Sequence, residues 1–236
     1  MRAVILAGGK GMRLQPYTAS FPKPLMPLGD TPVLEVLIRR LVRCGIRDIT
    51  LSVGHLSELV KAYFNHRHSL TREINLRFVV EEEPLGTAGS LALVPDLTET
   101  FLAMNGDLLT DIDFKQLLHF HRLHAATLTI ATHTREVKVD LGVVEFDEQF
   151  RLTGYREKPR KTFHVSMGIY AYEPRALRYI EPNIHLDFPE LVLRLLDAGE
   201  RVCAYLNDSL WLDIGNPEDY ARAQELFATR REAFES

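Results

Sequence analysis

The chain has 236 residues, 46% hydrophobic and 25% charged, an ordinary globular composition that excludes a disordered chain and allows one large α/β domain. A formal net charge of -4 excludes the strongly basic surface needed to hold a nucleic-acid backbone. The apolar start, Met1 to Ala7, is too short for a signal peptide or a membrane span, so the expected location is cytoplasmic with no membrane partner.

The elements follow in chain order. Ala3 to Ala7 is a β-branched run that predicts a strand. Val33, Leu34, Leu37, Ile38 and Leu41 recur at helical spacing, which predicts a helix over 33–44, followed by a strand over 49–53. Leu56 to Phe64 reads as a helix, Leu76 to Val80 as a strand, Thr87 to Leu93 as a helix and Phe101 to Asn105 as a strand. Phe114 to Leu123 and Leu128 to Thr132 repeat the alternation, which is the pattern of a doubly wound, Rossmann-like, mostly parallel sheet with helices on both faces. Beyond about Thr134 the texture changes to closely spaced strands at 142–146, 151–156 and 165–172, read as a small antiparallel addition. Helices over 188–198 and 217–234 flank a last strand over 202–206. Cys44 and Cys203 lack Cys-x-x-Cys spacing and read as small core residues.

The first strand runs straight into Gly8-Gly9-Lys10-Gly11, glycines that let a base or phosphate approach the backbone. The dinucleotide fingerprint fails, because its third glycine would fall at Leu14. The P-loop fails as well, because Gly11 is followed by Met12 and Arg13 rather than by lysine and a hydroxyl residue. Prolines at 22, 24 and 27 predict an extended, stiff path that presents Lys23.

Leu6-Ala7-Gly8-Gly9-Lys10-Gly11-Met12-Arg13-Leu14 and Phe21-Pro22-Lys23-Pro24-Leu25 together resemble the signature of the sugar-1-phosphate nucleotidyltransferases. Pro84-Leu85-Gly86-Thr87-Ala88-Gly89, Asn105-Gly106-Asp107, Glu157-Lys158-Pro159, Gly168-Ile169-Tyr170 and Trp211-Leu212-Asp213-Ile214-Gly215 agree in order. Met12 stands where the family usually has threonine. The resemblance implies a GT-A-like nucleotidyltransferase fold in a single domain over 1–236. Residues 1–133 mainly bind nucleotide, 134–215 mainly bind sugar phosphate and 216–236 form a C-terminal helix. The chain ends before the C-terminal β-helix that many relatives carry, so a bare catalytic unit is expected.

The implied reaction is attack by a sugar 1-phosphate oxygen on the α-phosphorus of a nucleoside triphosphate. Arg13 and Lys23 are the implied catalytic cations, and Asp107 and Asp213 the implied ligands of one Mg²⁺. Leu6, Ala7, Gly8, Gly9, Gly11, Met12, Glu83, Gly86, Thr87 and Asn105 fall at nucleotide positions. Gly142, Glu157, Lys158 and Met167 fall at sugar-phosphate positions, with core packing an equal reading of Met167. The expected partners are the triphosphate and the sugar 1-phosphate, and a homo-oligomer is compatible with the chain. The short chain, Asn105-Gly106-Asp107 and Asp140 to Glu145 look most like GTP-using enzymes for mannose- or heptose-type 1-phosphates, with UTP- and dTTP-using ones close by.

Other groupings were weighed against these. His119, His121 and His124 suggest a metal cluster, but 119 and 121 do not share a helical face, so a solvated helix face is expected. Glu81-Glu82-Glu83 reads as a charged strand end from which Glu81 or Glu83 reaches the base. Asp111-Ile112-Asp113 resembles the Asp-x-Asp of glycosyltransferases, the rival enzyme reading, although one of the pair suits the cap of the next helix. A non-catalytic sensor of nucleotide sugars is the reading from another class.

Overall fold

A computed structural model of the chain describes residues 1–235. β1 (Arg2–Ala7) sends Ala3, Ile5 and Ala7 into one core and Val4 into another, the alternation of a strand buried on both faces. A small hairpin of β2 (Pro27–Leu28) and β3 (Thr31–Pro32) leads into α1 (Val33–Arg43). Next come β4 (Asp48–Val53), α2 (Ser57–His66), α3 (His68–Thr71), β5 (Asn75–Val80) and the single turn α4 (Gly86–Gly89). They are followed by β6 (Phe101–Asn105), β7 (Leu108–Thr110) and α5 (Phe114–Leu123). Long strands β8 (Leu128–Lys138) and, later, β11 (Arg160–Tyr172) enclose the hairpin of β9 (Val143–Phe146) and β10 (Leu152–Arg156). The chain continues through α6 (Phe188–Asp197), β12 (Val202–Leu206), β13 (Trp211–Asp213), α7 (Pro217–Thr229) and α8 (Arg231–Glu235).

Seven strands form one sheet in the order β12-β8-β11-β6-β1-β4-β5. Among the described residues only β11 runs against the rest. α1, α2 and α5 pack on one face with Leu37, Phe64 and Leu117. The segment around α4 and the helix α6 pack on the other with Leu91 and Leu191, which is the expected mostly parallel sheet covered on both sides. A third cluster, including Leu109, Leu212, Ile214 and Phe227, fastens α7 to the β7–β13 pair. No helix among the described residues is long and apolar enough to cross a membrane.

Five expectations are corrected. The helix expected over 217–234 breaks at Arg230, where the backbone leaves helical angles and the Thr229 hydroxyl turns back to the carbonyls of Glu225 and Leu226. The break lets Phe234 bury fully and stack on Phe227 at 6.1 Å. That burial stabilises by roughly 2 kcal/mol and outweighs one lost helical bond of about 1 kcal/mol. The helix over 87–93 is α4 followed by a 3-10 turn, Ser90–Leu93. β8 and β11 extend well past 132 and before 165, through polar, exposed residues whose pairing is carried by the backbone ladder and leaves no apolar alternation to read. The proline stretch bends through a 3-10 turn, Lys23–Leu25, because Pro24 sits at the start of the turn, where its missing N–H is not needed. Cys44 and Cys203 are free and half-buried rather than fully buried, Cys44 packing against the edge of the first core.

Candidate active site

Register across the parallel strands puts Asn105 beside Leu6, Leu6 beside Ser52 and Ser52 beside Val79. Side chains directly opposite one another leave the same face, so these four form a row. Beyond the row, at the carboxyl ends of the strands, lies a cavity of about 380 Å³, the place where open α/β sheets collect ligands.

Its floor is backbone. A Cβ on Gly54 would lie 3.0 Å from the Gly8 carbonyl oxygen, so the loops after β1 and β4 meet main chain to main chain. Gly11 holds a left-handed φ of 62°, and a Cβ there would meet Thr18 at 2.9 Å. The Gly11 carbonyl accepts from Leu14 N at 2.9 Å and from the Thr18 hydroxyl at 2.7 Å, which closes a 3-10 turn, Met12–Leu14. Leu14 anchors that turn in the third core cluster, while Arg13 stays exposed with its guanidinium over Gly215.

The acidic side is set by β7 and β13, which pair antiparallel with Asp213 opposite Leu108. Ile214 N donates to the Asp107 carbonyl at 3.0 Å, so Asp107 and Asp213, more than a hundred residues apart in sequence, become neighbours. Lys23 forms an ion pair with Asp107 through Oδ2. The Oδ1 atoms of both aspartates are buried without a hydrogen-bond partner. Burial first, and then the Asp107 charge, hold the Asp213 carboxyl above its ordinary range, against the opposing pull of Lys23 and Arg13. Two buried acceptors with no donor are costly unless something positive meets them. A hard divalent cation that takes one or two carboxylates plus phosphate and water oxygens fits this donor set. Among the described residues no larger cluster of metal-ligating side chains exists.

The nucleotide-position residues mostly converge. The stretch from Leu6 to Arg13, apart from Lys10, lines one side of the cavity, Lys23, Asn105 and Asp107 another, and Gly86 and Thr87 the far wall. Gly86 has φ 77°, and a Cβ there would sit 2.6 Å from the Leu186 carbonyl, so only glycine lets α4 dock against the Leu186 backbone. Thr87 and Asp187 secure the contact, with Phe188 N donating to the Thr87 hydroxyl at 2.8 Å. Asp213 does not itself line the cavity but flanks Asp107.

Glu83 is exposed and off the cavity wall. Glu81 takes the place, with Oε1 accepting from the Ser52 hydroxyl at 2.8 Å. Two residues beyond Val79, with its N–H still bonded to Val53, Glu81 projects from the face of the row, a parity that strand alternation in the sequence already contained. Glu81 is one of the two glutamates the sequence offers, whereas Ser90 carries no motif to mark it. It is 1% exposed, lines the cavity and has a hydroxyl with no partner.

None of the four sugar-phosphate positions lines this cavity. Gly142 and Glu157 meet around Tyr155, whose hydroxyl donates to Glu157 at 2.9 Å and fills the space over Gly142, while Lys158 holds φ 44° in the adjoining turn. Met167 is fully buried in the first core and accepts from Asn207 through sulfur at 3.2 Å, so its side chain packs.

The other groupings resolve as well. His121 is fully buried, correcting the solvated-face reading, because Thr129 at 2.8 Å and Glu173 at 3.3 Å satisfy its ring nitrogens. Asp113 caps α5, accepting from Lys115 N at 2.8 Å. Asp111 accepts from Leu210 N at 2.8 Å, and neither lines the cavity.

Fold and cavity together define a class, the doubly wound α/β proteins whose ligand cavity opens at the carboxyl ends of the parallel strands. The family model described as nucleotidyl transferase matches residues 2–230, and the chain belongs to that family. It is 34% identical over 229 residues to mannose-1-phosphate guanylyltransferase of Mycobacterium tuberculosis, covering 93% of this chain and 62% of that protein. It is 33% identical over 241 residues to UTP–glucose-1-phosphate uridylyltransferase of Synechocystis, covering 94% of this chain and 62% of that protein. The chain thus spans less than two thirds of the length of these curated relatives. The crystal structure of HddC from Yersinia pseudotuberculosis complexed with GMP-PN matches with a TM-score of 0.71 and 26% identity, covering 96% of this chain and 99% of that one.

Proposed function

We propose that the chain transfers a nucleotidyl group from a nucleoside triphosphate, GTP in preference to UTP or dTTP, to a sugar 1-phosphate of the mannose or heptose type. The observation that carries the reading is the pair of unpartnered Asp107 and Asp213 oxygens beside Lys23 and Arg13 at the mouth of a glycine-floored cavity.

The sugar phosphate is already a dianion at neutral pH, so one of its oxygens attacks the α-phosphorus without a general base. A new P–O bond forms, the bond from the α-phosphorus to the bridging oxygen breaks, and pyrophosphate leaves with that electron pair. The protein's work is to hold two anions in line and to stabilise the charge that moves. Arg13 offers a planar fork to the departing β and γ phosphates, and Lys23, poised on Asp107, faces the charge building at the α-phosphoryl oxygens. Mg²⁺ held by Asp107 and Asp213 would neutralise phosphate oxygens in the same place. Glu157 and Lys158 are assigned to the sugar phosphate, approaching from outside the described cavity. Residues 1–236 act as a single domain in this reading, in the cytoplasm, without nucleic acid or membrane.

Glu81 supports the choice of GTP. A carboxylate only accepts hydrogen bonds, and the guanine edge offers N1–H and the N2 amino group as donors. The uracil or thymine edge offers one N–H between two carbonyl oxygens, which the carboxylate repels. The relative named as a guanylyltransferase agrees with this, and the relative named as a uridylyltransferase keeps UTP in the test.

The test is a matrix of GTP, UTP, dTTP and ATP against mannose, heptose and glucose 1-phosphates, read by pyrophosphate release. Strongest release with GTP is expected, and no release from any pair overturns the reading. The glycosyltransferase alternative makes no pyrophosphate and loses its proposed ligands, since Asp111 and Asp113 are engaged with backbone N–H groups.

A further inference from the structure

The β9–β10 hairpin is two-faced. Phe146 lies opposite Leu152 and Val144 opposite Tyr155, with a bulge between the pairs, so these four side chains share one face. All four are exposed, Phe146 by 60%, Leu152 by 65% and Tyr155 by 60%, and Phe150 in the connecting turn, 84% exposed, stacks on Phe146 at 6.1 Å. The opposite face is polar, with Glu145 paired to Arg156, and the turn holds Arg151 on Asp147 at 3.1 Å.

Such a ribbon is poorly supported as it stands. An isolated pair of strands is marginal in water unless its apolar face packs on something. We propose that this face is covered by the same face of a second copy of the chain, in a two-fold dimer where the hairpins pack face to face.

Area and charge select that occupant. At ~200 Å² per aromatic side chain, the exposed parts of Phe146, Phe150 and Tyr155 come to roughly 400 Å². With Val144 and Leu152 the patch reaches about 600 Å², at the upper end of what monomers expose. Counted on both copies this is ~1,200 Å², the lower bound for a stable interface. None of the four side chains on the face is itself charged, so two copies meet apolar surface to apolar surface although each chain carries -4, with the Glu157 carboxylate on the Tyr155 hydroxyl as the adjoining charge. A two-fold interface needs only one self-complementary patch. A bilayer is the poorer occupant, because the basic residues of the hairpin, Arg151 and Arg156, are each tied to an acid and no excess positive charge faces anionic lipid.

Sedimentation velocity of the purified chain over a concentration series tests the proposal. The expected result is a species of twice the chain mass that dissociates on dilution. Phe146→Glu should give a monomer at every concentration while keeping the far-ultraviolet circular dichroism of the parent, and its melting temperature should lose the dependence on chain concentration that the dimer shows. Leu193→Glu, on the exposed side of α6, should leave the dimer intact. A parent chain that stays monomeric at its highest concentration overturns the proposal, as does a dimer that survives Phe146→Glu or is lost with Leu193→Glu. Co-sedimentation of the monomeric parent with anionic vesicles, abolished by Phe146→Glu, assigns the face to a membrane and also overturns it. No nucleotide or sugar phosphate enters these measurements, so their outcome is independent of the proposed reaction.

Discussion

Replacing Glu81 by glutamine should change which base the protein prefers and little else. Oε1 of Glu81 accepts a 2.8 Å bond from the buried Ser52 hydroxyl, whereas Oε2 receives only a long 3.4 Å contact from Leu85 N and is the oxygen with acceptor capacity left for a ligand. Glutamine can keep the Ser52 bond through its carbonyl and then turns an amide N–H₂ toward the cavity. Against guanine, a charge-assisted bond of about 1.5–3 kcal/mol becomes donor facing donor, so kcat/KM for GTP should fall ~10- to 150-fold. Against uracil the amide pairs with a carbonyl that the carboxylate repelled, so kcat/KM for UTP should hold or rise. The assay is steady-state pyrophosphate release with each triphosphate at a fixed sugar 1-phosphate, with melting temperature as the folding control. A GTP to UTP ratio that stays within about twofold of the parent would refute the reasoning, because hydrogen bonds to charged groups are worth more than that. So would an equal fall with both triphosphates.

Three further outcomes are expected. Asp107→Asn removes the partner of Lys23 and one of the two orphaned carboxylate oxygens. Turnover should drop ~100-fold or more, the scale of losing one preorganised charge contact, while nucleotide binding measured in chelator changes only a few-fold. Near-normal turnover would remove Asp107 from the mechanism. Gly168→Ala forces a Cβ at φ 69° to within 2.7 Å of the Asn105 amide. It should cost roughly 2 kcal/mol, lower the melting temperature by ~4–8 °C and weaken triphosphate binding through Asn105, and an unchanged melting curve would contradict the packing. His121 should make stability sensitive to acid. Burial, first, holds its folded pKa below the ordinary value, with Glu173 opposing. The unfolded chain, with pKa ~6.5, takes up the proton first as pH falls, so stability declines from about pH 6.5 downward through the folded pKa and is flat in this respect above it. Urea unfolding at pH 7.5 and pH 5.5 should show a smaller acid loss in His121→Gln than in the parent, and equal losses would clear His121 of the effect.

Legibility in the sequence followed how far each signal reaches along the chain. The strands β1 and β6 are buried on both faces, and continuous apolar runs announce them, while β4 shows as an alternation of Ile49, Leu51 and Val53 with Thr50 and Ser52. The helix caps at Asp113 and Asn216 are local hydrogen bonds to residues two or three positions on, so composition alone finds them. The outer halves of β8 and β11 are held by backbone ladder bonds between exposed polar residues and leave no pattern to find. Among three consecutive glutamates 81 and 83 share the parity of Val79, so the choice between them depends on where the ladder ends: Glu81 N–H is still bonded to Val53, which keeps 81 on the face of Ser52 and leaves 83 beyond it.

The acidic pair is the clearest case of information that is not local. Asp107 and Asp213 become neighbours only because the three-residue strands β7 and β13 find one another across the chain. Each strand is too short to declare itself, and what pins the pair lies elsewhere. Leu109 and Leu212 are buried in the third core cluster with Phe227 and Phe234, and the Trp211 indole donates to the Met167 carbonyl at 2.8 Å. The helix break at Arg230 therefore bears on the site from a distance, since it carries Phe234 into the cluster on which β13 rests. A Phe234→Ala variant should lose ~3–5 kcal/mol of stability, the usual cost of emptying a buried aromatic position. Because that cavity opens beneath β13, the same variant should bind divalent cation more weakly even at temperatures where it remains folded. Cation titration by isothermal calorimetry well below the melting transition separates the two effects. Unchanged cation affinity in a destabilised variant would mean that β7 and β13 hold their register without this cluster.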